Sequence, residues 1–180
     1  MLQHALQYAA AGFEVFPTHH IMKGGRCSCN NTACHSPGKH PRTRNGKDNA
    51  TSDPDQIKTW WKRYPDANIA IRPGKIPGSD DSWFVVDVDE GTRINPKGKA
   101  VTKLGGAELE TLEEKYGEKI ATSLVQRSGG GGRHIILRLP AGTATPSRPS
   151  GSIDIKDHGG YILAQPSNHE SGNIYEWLGF

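Results

Sequence analysis

Trp83-Phe84-Val85-Val86-Asp87-Val88-Asp89-Glu90 decides how this chain is read. Four apolar residues in a row, two of them β-branched, mark a strand covered on both faces. The run ends in two carboxylates one residue apart. Side chains alternate along a strand, so Asp87 and Asp89 point the same way, roughly 6.5–7 Å apart. Two like charges at the end of a half-buried strand are costly unless something positive lies between them. A divalent cation meets that need, because Mg²⁺ and Mn²⁺ prefer carboxylate oxygens and often share them with substrate phosphates. The alternative is a strand ending in a polar turn, with both aspartates solvated.

Around this stretch the chain has 180 residues, enough for one domain with its own core. Only 34% of residues are hydrophobic, and 22 Gly and 12 Pro make turns and loops a large share. The net charge of +3 is compatible with a nucleic-acid partner but too small to argue for one. No apolar run approaches the roughly 18 residues a membrane helix needs. No secretory signal is visible, so a cytoplasmic protein is the expectation.

The three cysteines fall within eight positions, which is no disulfide framework. Their segment, residues 23–42, has almost nothing apolar to pack. Thiolate and imidazole are the preferred ligands of Zn²⁺, and a structural site takes four of them. Cys27, Cys29 and Cys34 supply three. His40 is the better fourth, since His35 adjoins Cys34 and is harder to aim at the same ion. The Cys-x-Cys spacing is tighter than usual. The other reading is three free thiols on a surface loop. Four protein ligands would make such a metal structural, with no open position for chemistry.

Elsewhere the pattern predicts a helix over residues 2–12, stopped by Gly12, and a short strand over 14–17 closed by Pro17. A second helix over 53–64 has Asp53 as N-cap and Ile57, Trp60, Trp61 and Tyr64 as its apolar stripe; the tryptophans read as core rather than as a base-stacking platform. A strand over 68–72 and a polar loop over 75–82 follow. Residues 91–103 read as a loop bearing Arg93, Lys97, Lys99 and Lys103, either touching a polyanion or forming a solvated flap. A third helix over 105–120 carries Leu109, Leu112 and Tyr116, with Glu108, Glu110, Glu113 and Glu114 as a solvated face.

Four glycines then precede Arg133-His134-Ile135-Ile136-Leu137. Glycine backbone approaches phosphate closely, yet no Gly-Lys-Ser/Thr follows and the next element is a strand, so neither a Walker loop nor a dinucleotide fingerprint is present. A plain hairpin loop is the simpler reading of this stretch alone. Arg133 and His134 should face opposite sides. A low-complexity loop over 141–151 leads to Ser152-Ile153-Asp154-Ile155-Lys156, whose alternation sets Asp154 and Lys156 against Ile153 and Ile155. Strands near 161–164 and 174–177 close the chain.

In their order and spacing these residues resemble the primase-polymerase (prim-pol) domain of the archaeo-eukaryotic primase superfamily, in the bifunctional branch of phage and plasmid replication proteins. The resemblance runs from residues 8–13 and Pro17 through 27–41, the 53–61 helix, Asp87-Val88-Asp89, Gly131-Gly132-Arg133-His134, Ile153-Asp154-Ile155-Lys156 and Gly159-Gly160-Tyr161 to Pro166-Ser167 and Tyr175-Glu176-Trp177. It implies an α+β fold: an RRM-like catalytic sheet beside a smaller α/β unit, with a zinc-binding loop over about 23–42 and the active site between. It implies a single catalytic domain over 1–180, the N-terminal fragment of a longer replication protein with a helicase domain downstream, in the cytoplasm of a bacterial or archaeal host.

The implied function is DNA primase and DNA polymerase activity: template-directed nucleotidyl transfer from (d)NTPs to a primer 3′-hydroxyl. Asp87, Asp89 and Asp154 look like the family's carboxylates for Mg²⁺ or Mn²⁺, and His134 like its phosphate-holding histidine. Gly131, Gly132, Arg133, Lys156 and Lys39 are the further nucleotide-binding candidates. Many relatives carry Ser where this chain has Gly132, which leaves backbone amides to that part. Cys27, Cys29, Cys34 and His40 look like the zinc-bearing insert of some members. Two rivals remain: a non-catalytic single-stranded nucleic-acid binding domain, and a metal-dependent nuclease. Against the first, the strands lack interleaved exposed aromatic and basic residues.

Overall fold

The structure, a computed structural model, describes residues 1–94 and 98–179. Lys97 and Phe180 lie outside the described residues.

The chain opens with helix α1 (Leu2–Ala10), strand β1 (Glu14–Thr18), a 3-10 turn at Gly46–Asn49, helix α2 (Pro54–Arg63) and strand β2 (Asn68–Arg72). The sequence pattern predicted the two helices and two strands to within a residue or two, but not the 3-10 turn. Gly12, at φ +88°, supplies the left-handed turn out of α1 that a side chain would resist. Asp53 caps α2 by accepting the Asp55 N–H at 3.0 Å. Trp61 is 2% exposed and donates its ring N–H to Ala67 O at 3.2 Å, so it belongs to the core. Burying a side chain of that kind contributes roughly 2–3 kcal/mol. Pro17 does not end β1 but sits inside it, pairing with Ile69. That is tolerated because β1 is an edge of its sheet, where a missing N–H breaks no ladder.

The remainder consists of β3 (Asp81–Val88), β4 (Glu90–Ile94), β5 (Ala100–Leu104), α3 (Gly105–Tyr116), β6 (Val125–Arg127), β7 (Arg133–Pro140), β8 (Ile153–Lys156), β9 (Ile162–Ala164) and β10 (Glu176–Trp177). Among the described residues, two larger antiparallel sheets and a two-stranded β4-β5 ribbon result. One sheet has three strands in the order β1-β2-β9, the other five in the order β10-β6-β7-β3-β8. The expected loop over 91–103 is instead partly a hairpin, with β4 and β5 pairing from Glu90↔Leu104 to Ile94↔Ala100. It lacks the apolar alternation that marks a half-buried strand. Thr92, Ile94, Val101 and Thr102 favour extended backbone, and Thr92 Oγ1 meets Thr102 Oγ1 at 2.9 Å.

The third helix stops four residues short of the expected end. Gly117, at φ +70°, caps it in the left-handed conformation. Leu109 is buried, but Tyr116 is 69% exposed and takes no part in the core. The acidic face is not simply solvated. Glu108 accepts the Ser152 N–H at 2.9 Å, the Ser152 hydroxyl at 2.6 Å and the Ser150 hydroxyl, and Glu113 accepts the Ile120 N–H at 2.9 Å.

The largest apolar cluster joins Ala5, Ile57 and Trp61 of the helices, Val15, Ile69 and Ile71 of the first sheet, and Val85 and Ile136 of the second. A second joins Val86, Val88, Ile135 and Ile153 to Leu109 on α3. Val85 and Val86 therefore face opposite cores, as the unbroken apolar run predicted. Among the described residues no helix is long and apolar enough to cross a membrane.

The β6–β7 turn fits the second sheet only with glycine. Ser128 N–H bonds Gly132 O at 2.8 Å, and Gly131 N–H bonds Ser128 O at 3.0 Å. A Cβ on Gly132 would collide with the Val88 carbonyl oxygen. Gly131 has open space but sits at φ +93°. Gly132→Ala is therefore predicted to lower stability by about 3 kcal/mol or more, a severe overpacking cost. Gly131→Ala should lose only about 1 kcal/mol, from backbone strain. Urea unfolding of both variants checks this, and equal losses would contradict it.

Candidate active site and metal centre

Strand register builds the site. Asp87 is paired with His134 on β7 and with Asp154 on β8, and His134 with Gln126 on β6. Directly opposed residues share a face, so Gln126, His134, Asp87 and Asp154 form one row across four strands. Lys156 lies two residues beyond Asp154, on the same face. Its Nζ is 3.0 Å from Asp154 Oδ2 and 3.6 Å from Asp87 Oδ2. His134 Nε2 is 3.6 Å from Asp87 Oδ1. Arg148 Nε adds a second cation at 2.7 Å from Asp154 Oδ1.

Asp89 follows β3 directly and is anchored through its backbone. Its N–H bonds Ser152 O at 2.9 Å, and its carbonyl accepts the Gly105 N–H at 3.0 Å. Gly105 is needed for this approach, since a Cβ there would lie 2.6 Å from Asp89 O. The carboxylate pairs with Arg93 Nη2 at 2.6 Å and lies 4.0 Å from Lys103 Nζ. Arg93 and Lys103, two cations of the expected loop, are thus delivered to Asp89 by the β4–β5 hairpin. The carboxylates expected to repel one another each carry a basic partner.

These groups border a cleft of about 550 Å³. Asp87, Asp89, His134, Lys156, Lys39 and Gly132 line it. Asp154 stands beside Asp87 but is not among the lining residues. Gly131 makes the adjacent turn, with its N–H already committed to Ser128. Arg133 pairs with Val88, on the opposite face from His134, and its guanidinium lies near Gly106 on α3. It is the one predicted nucleotide-binding side chain the fold does not bring to the cleft.

Burial shapes the charges here. It pushes His134 below the usual histidine range, and Asp87 opposes this only in part. Lys39 is lowered by burial, against the pull of Glu170. For Asp154, burial raises the carboxyl, but hydrogen bonds from Arg148 and Lys156 outweigh it and the net shift is downward.

Three lining or adjoining residues were not among the predicted site residues. Gln126 is fully buried behind His134. His169 lines the cleft, held to about 4 by burial and then by Lys39 and Arg93. Tyr175 packs between the two histidines, with ring centroids 5.8 Å from His134 and 6.1 Å from His169. Burial raises its hydroxyl above the ordinary tyrosine value. Gln126 and His169 stand in no motif and Tyr175 entered only within the Tyr175-Glu176-Trp177 stretch of the resemblance; strand pairing and the 165–177 return of the chain bring the three together.

The second site is the polar lobe. One ligand atom from each of Cys27, Cys29, Cys34 and His40 comes within 4.8 Å of all the others. Cys27 Sγ and Cys34 Sγ lie 3.4 and 3.6 Å from His40 Nε2. A tetrahedron with zinc bond lengths sets sulfur and nitrogen roughly 3.5 Å apart, so the spacing fits. His35 is not part of the group. Gly38 N–H points at Cys27 Sγ at 3.3 Å, the His19 N–H bonds His40 O at 2.9 Å, and the His19 and His40 rings stack at 4.2 Å. Loss of solvation first, then the thiols of Cys29 and Cys27, push the Cys34 thiol up to about 11, while a hydrogen bond from the Asn31 backbone lowers Cys29. A coordinated metal would reverse the Cys34 shift by holding the thiolates.

Paired aspartates, a histidine and a lysine thus border one cleft, next to a Cys3His lobe. The chain belongs to the prim-pol family: the model of the bifunctional DNA primase/polymerase N-terminal domain matches residues 5–179. Comparison with curated proteins gives no match. The family implies DNA primase or polymerase activity in general terms.

One zinc per chain is the expected result of elemental analysis, falling to well under half in Cys34→Ser, with a lower melting temperature on chelation. Metal-free protein with an unchanged melting temperature would contradict the Cys3His assignment.

Proposed function

We propose that this chain is the catalytic domain of a metal-dependent DNA primase/polymerase, adding nucleotides from (d)NTPs to the 3′-hydroxyl of a primer on a DNA template. The observation that carries the reading is the in-register row of His134, Asp87 and Asp154, with Asp89 and Lys156 beside it. Each of the three carboxylates is held by a basic side chain, which keeps the row charge-balanced until divalent cations arriving with a triphosphate take over the carboxylate oxygens. Asp87, Asp89 and Asp154 are the residues to hold Mg²⁺ or Mn²⁺. Bound there, such ions would lower the pKa of the attacking hydroxyl and stabilise charge on the departing pyrophosphate.

The chain's own groups do the rest. The primer 3′-oxygen bonds to the α-phosphorus, the bond to the bridging oxygen breaks, pyrophosphate leaves, and the hydroxyl proton passes to water. Lys156 balances Asp87 and Asp154 before substrate arrives, then turns its ammonium to the triphosphate. His134 donates from Nε2 to a phosphate oxygen, and Lys39 adds charge from the opposite wall. Gly132 lets the turn pack on the Val88–Glu90 backbone, which sets the turn at the edge of the cleft. The Cys3His lobe holds zinc for structure, because its four ligands leave no open position. The five-stranded sheet serves as the RRM-like catalytic layer and the three-stranded sheet with α1 and α2 as the smaller unit. We place the chain at the N-terminus of a longer phage or plasmid replication protein, ahead of a helicase domain.

Primer extension tests the reading. Labelled primer-template with dNTPs and Mg²⁺ or Mn²⁺ should lengthen, and Asp87→Asn with Asp89→Asn should reduce the rate by about a thousandfold or more with the circular dichroism unchanged. Shortening of the label would make the protein a nuclease. Tight template binding with no change in length would make it a binding module.

A further inference from the structure

Gln126 is fully buried, and nothing in the chemistry above uses it. Its amide has only one workable orientation. Oε1 accepts the Gln165 N–H at 2.8 Å, and Nε2 donates to the Leu163 carbonyl at 2.8 Å. Both partners are backbone groups whose polarity cannot change, so turning the amide over would set donor against donor and acceptor against acceptor. The second Nε2 proton then meets His134 Nδ1 at 2.9 Å. A donor aimed at that nitrogen requires a lone pair on it.

We propose that Gln126 is a positioning residue: it fixes His134 as the neutral tautomer protonated on Nε2 and so aims that N–H into the cleft as a phosphate donor. The tautomer follows from the hydrogen bonds alone. The phosphate-binding half of the inference rests on the nucleotidyl-transfer reading above.

The arrangement has a chemical consequence at Asp87. His134 is 5% exposed and stacked against Tyr175, so its ring has little freedom to turn. An imidazolium would place an Nδ1–H against the Gln126 N–H and leave two buried donors facing each other. It would also pair tightly with Asp87, whose Oδ1 lies 3.6 Å from Nε2. A neutral donor leaves the Asp87 lone pairs available to a divalent cation and still gives the phosphate a directed N–H. The charge comes from Lys156 and Lys39. Gln126 sits on β6, and its partners Leu163 and Gln165 lie on and just after β9, so the same amide ties the two sheets together where they form the cleft.

Long-range ¹H–¹⁵N correlation spectra of the histidine rings test this directly, with His134 assigned by its loss in His134→Gln. In the wild-type protein at neutral pH, His134 should show a bare Nδ1 and a protonated Nε2. An Nδ1–H signal there would overturn the proposal. In Gln126→Met, which keeps length and bulk but removes the donor, the bare Nδ1 signal should shift downfield as its hydrogen bond is lost; an unmoved signal would overturn the role of Gln126. With primer-template and dNTPs, Gln126→Met should raise KM for the nucleotide about tenfold, the worth of one directed hydrogen bond. An unchanged KM with the tautomer as described would remove the phosphate contact while leaving the tautomer lock in place. Absence of any extension by the wild type would instead count against the polymerase reading, and the spectra would still decide the tautomer.

Discussion

Asp87 cannot stand alone on the inner face of a central strand. A carboxylate there loses much of its water, and the loss must be answered by cations and donors held within a few ångströms. The strand register supplies them: Asp87 faces His134 on one side and Asp154 on the other, with Lys156 between the two acids. Much of the second sheet follows from keeping that register. A shift of one residue would turn Asp87 into the apolar layer against α3 and carry Val86 or Val88 into the cleft. The β6–β7 turn holds the register at one end, because Gly132 packs against the Val88 carbonyl with no room for a side chain. The start of α3 holds Asp89 at the same end, through the bond from Gly105.

The first sheet acts as the opposite wall and is stitched to the polar lobe by two asparagines. Asn68 donates to Gly38 O at 3.0 Å and to Asn168 O at 2.9 Å. Asn168 in turn exchanges two bonds with the backbone of Ile21, each 2.8 Å. A segment with almost no apolar side chains is thus held by buried polar pairing and by its ligand cluster, which is the usual recourse where a hydrophobic core cannot form. Lys39 and His40 are adjacent, so one turn of this lobe serves both the Cys3His group and the cleft. Tyr161 reinforces the junction by donating to Lys39 O at 3.1 Å.

How much of this is legible in the sequence depends on whether a residue's role is local. β2 and α2 are readable because their signals, apolar spacing and an Asp-Pro cap, lie within the element. The Asp87 strand is readable because an unbroken apolar run reports two covered faces. The Cys3His group is readable from ligand chemistry within 14 positions. The β4–β5 ribbon is not, since a two-stranded hairpin without a core needs no apolar alternation. Glu108 reads as a surface charge because its partners, Ser150 and Ser152, are more than forty residues away. Gln126 and His169 carry no motif, and only the pairing of β6 with β7 and the return of residues 165–177 bring them to the site. Arg133 shows the reverse case: it adjoins His134 in the chain, yet the two-residue period of a strand sends it to the other face.

The central claim is that the row of acids is a divalent-cation site made for a nucleotide. The most direct measurement is anomalous scattering from crystals grown with Mn²⁺ and a non-hydrolysable deoxynucleoside triphosphate. The account predicts a manganese peak about 2.0–2.3 Å from oxygens of Asp87 and Asp89, with Lys156 Nζ withdrawn from Asp87 and the triphosphate beside His134. Manganese bound elsewhere, with Lys156 still bridging Asp87 and Asp154 in the presence of nucleotide, would contradict it.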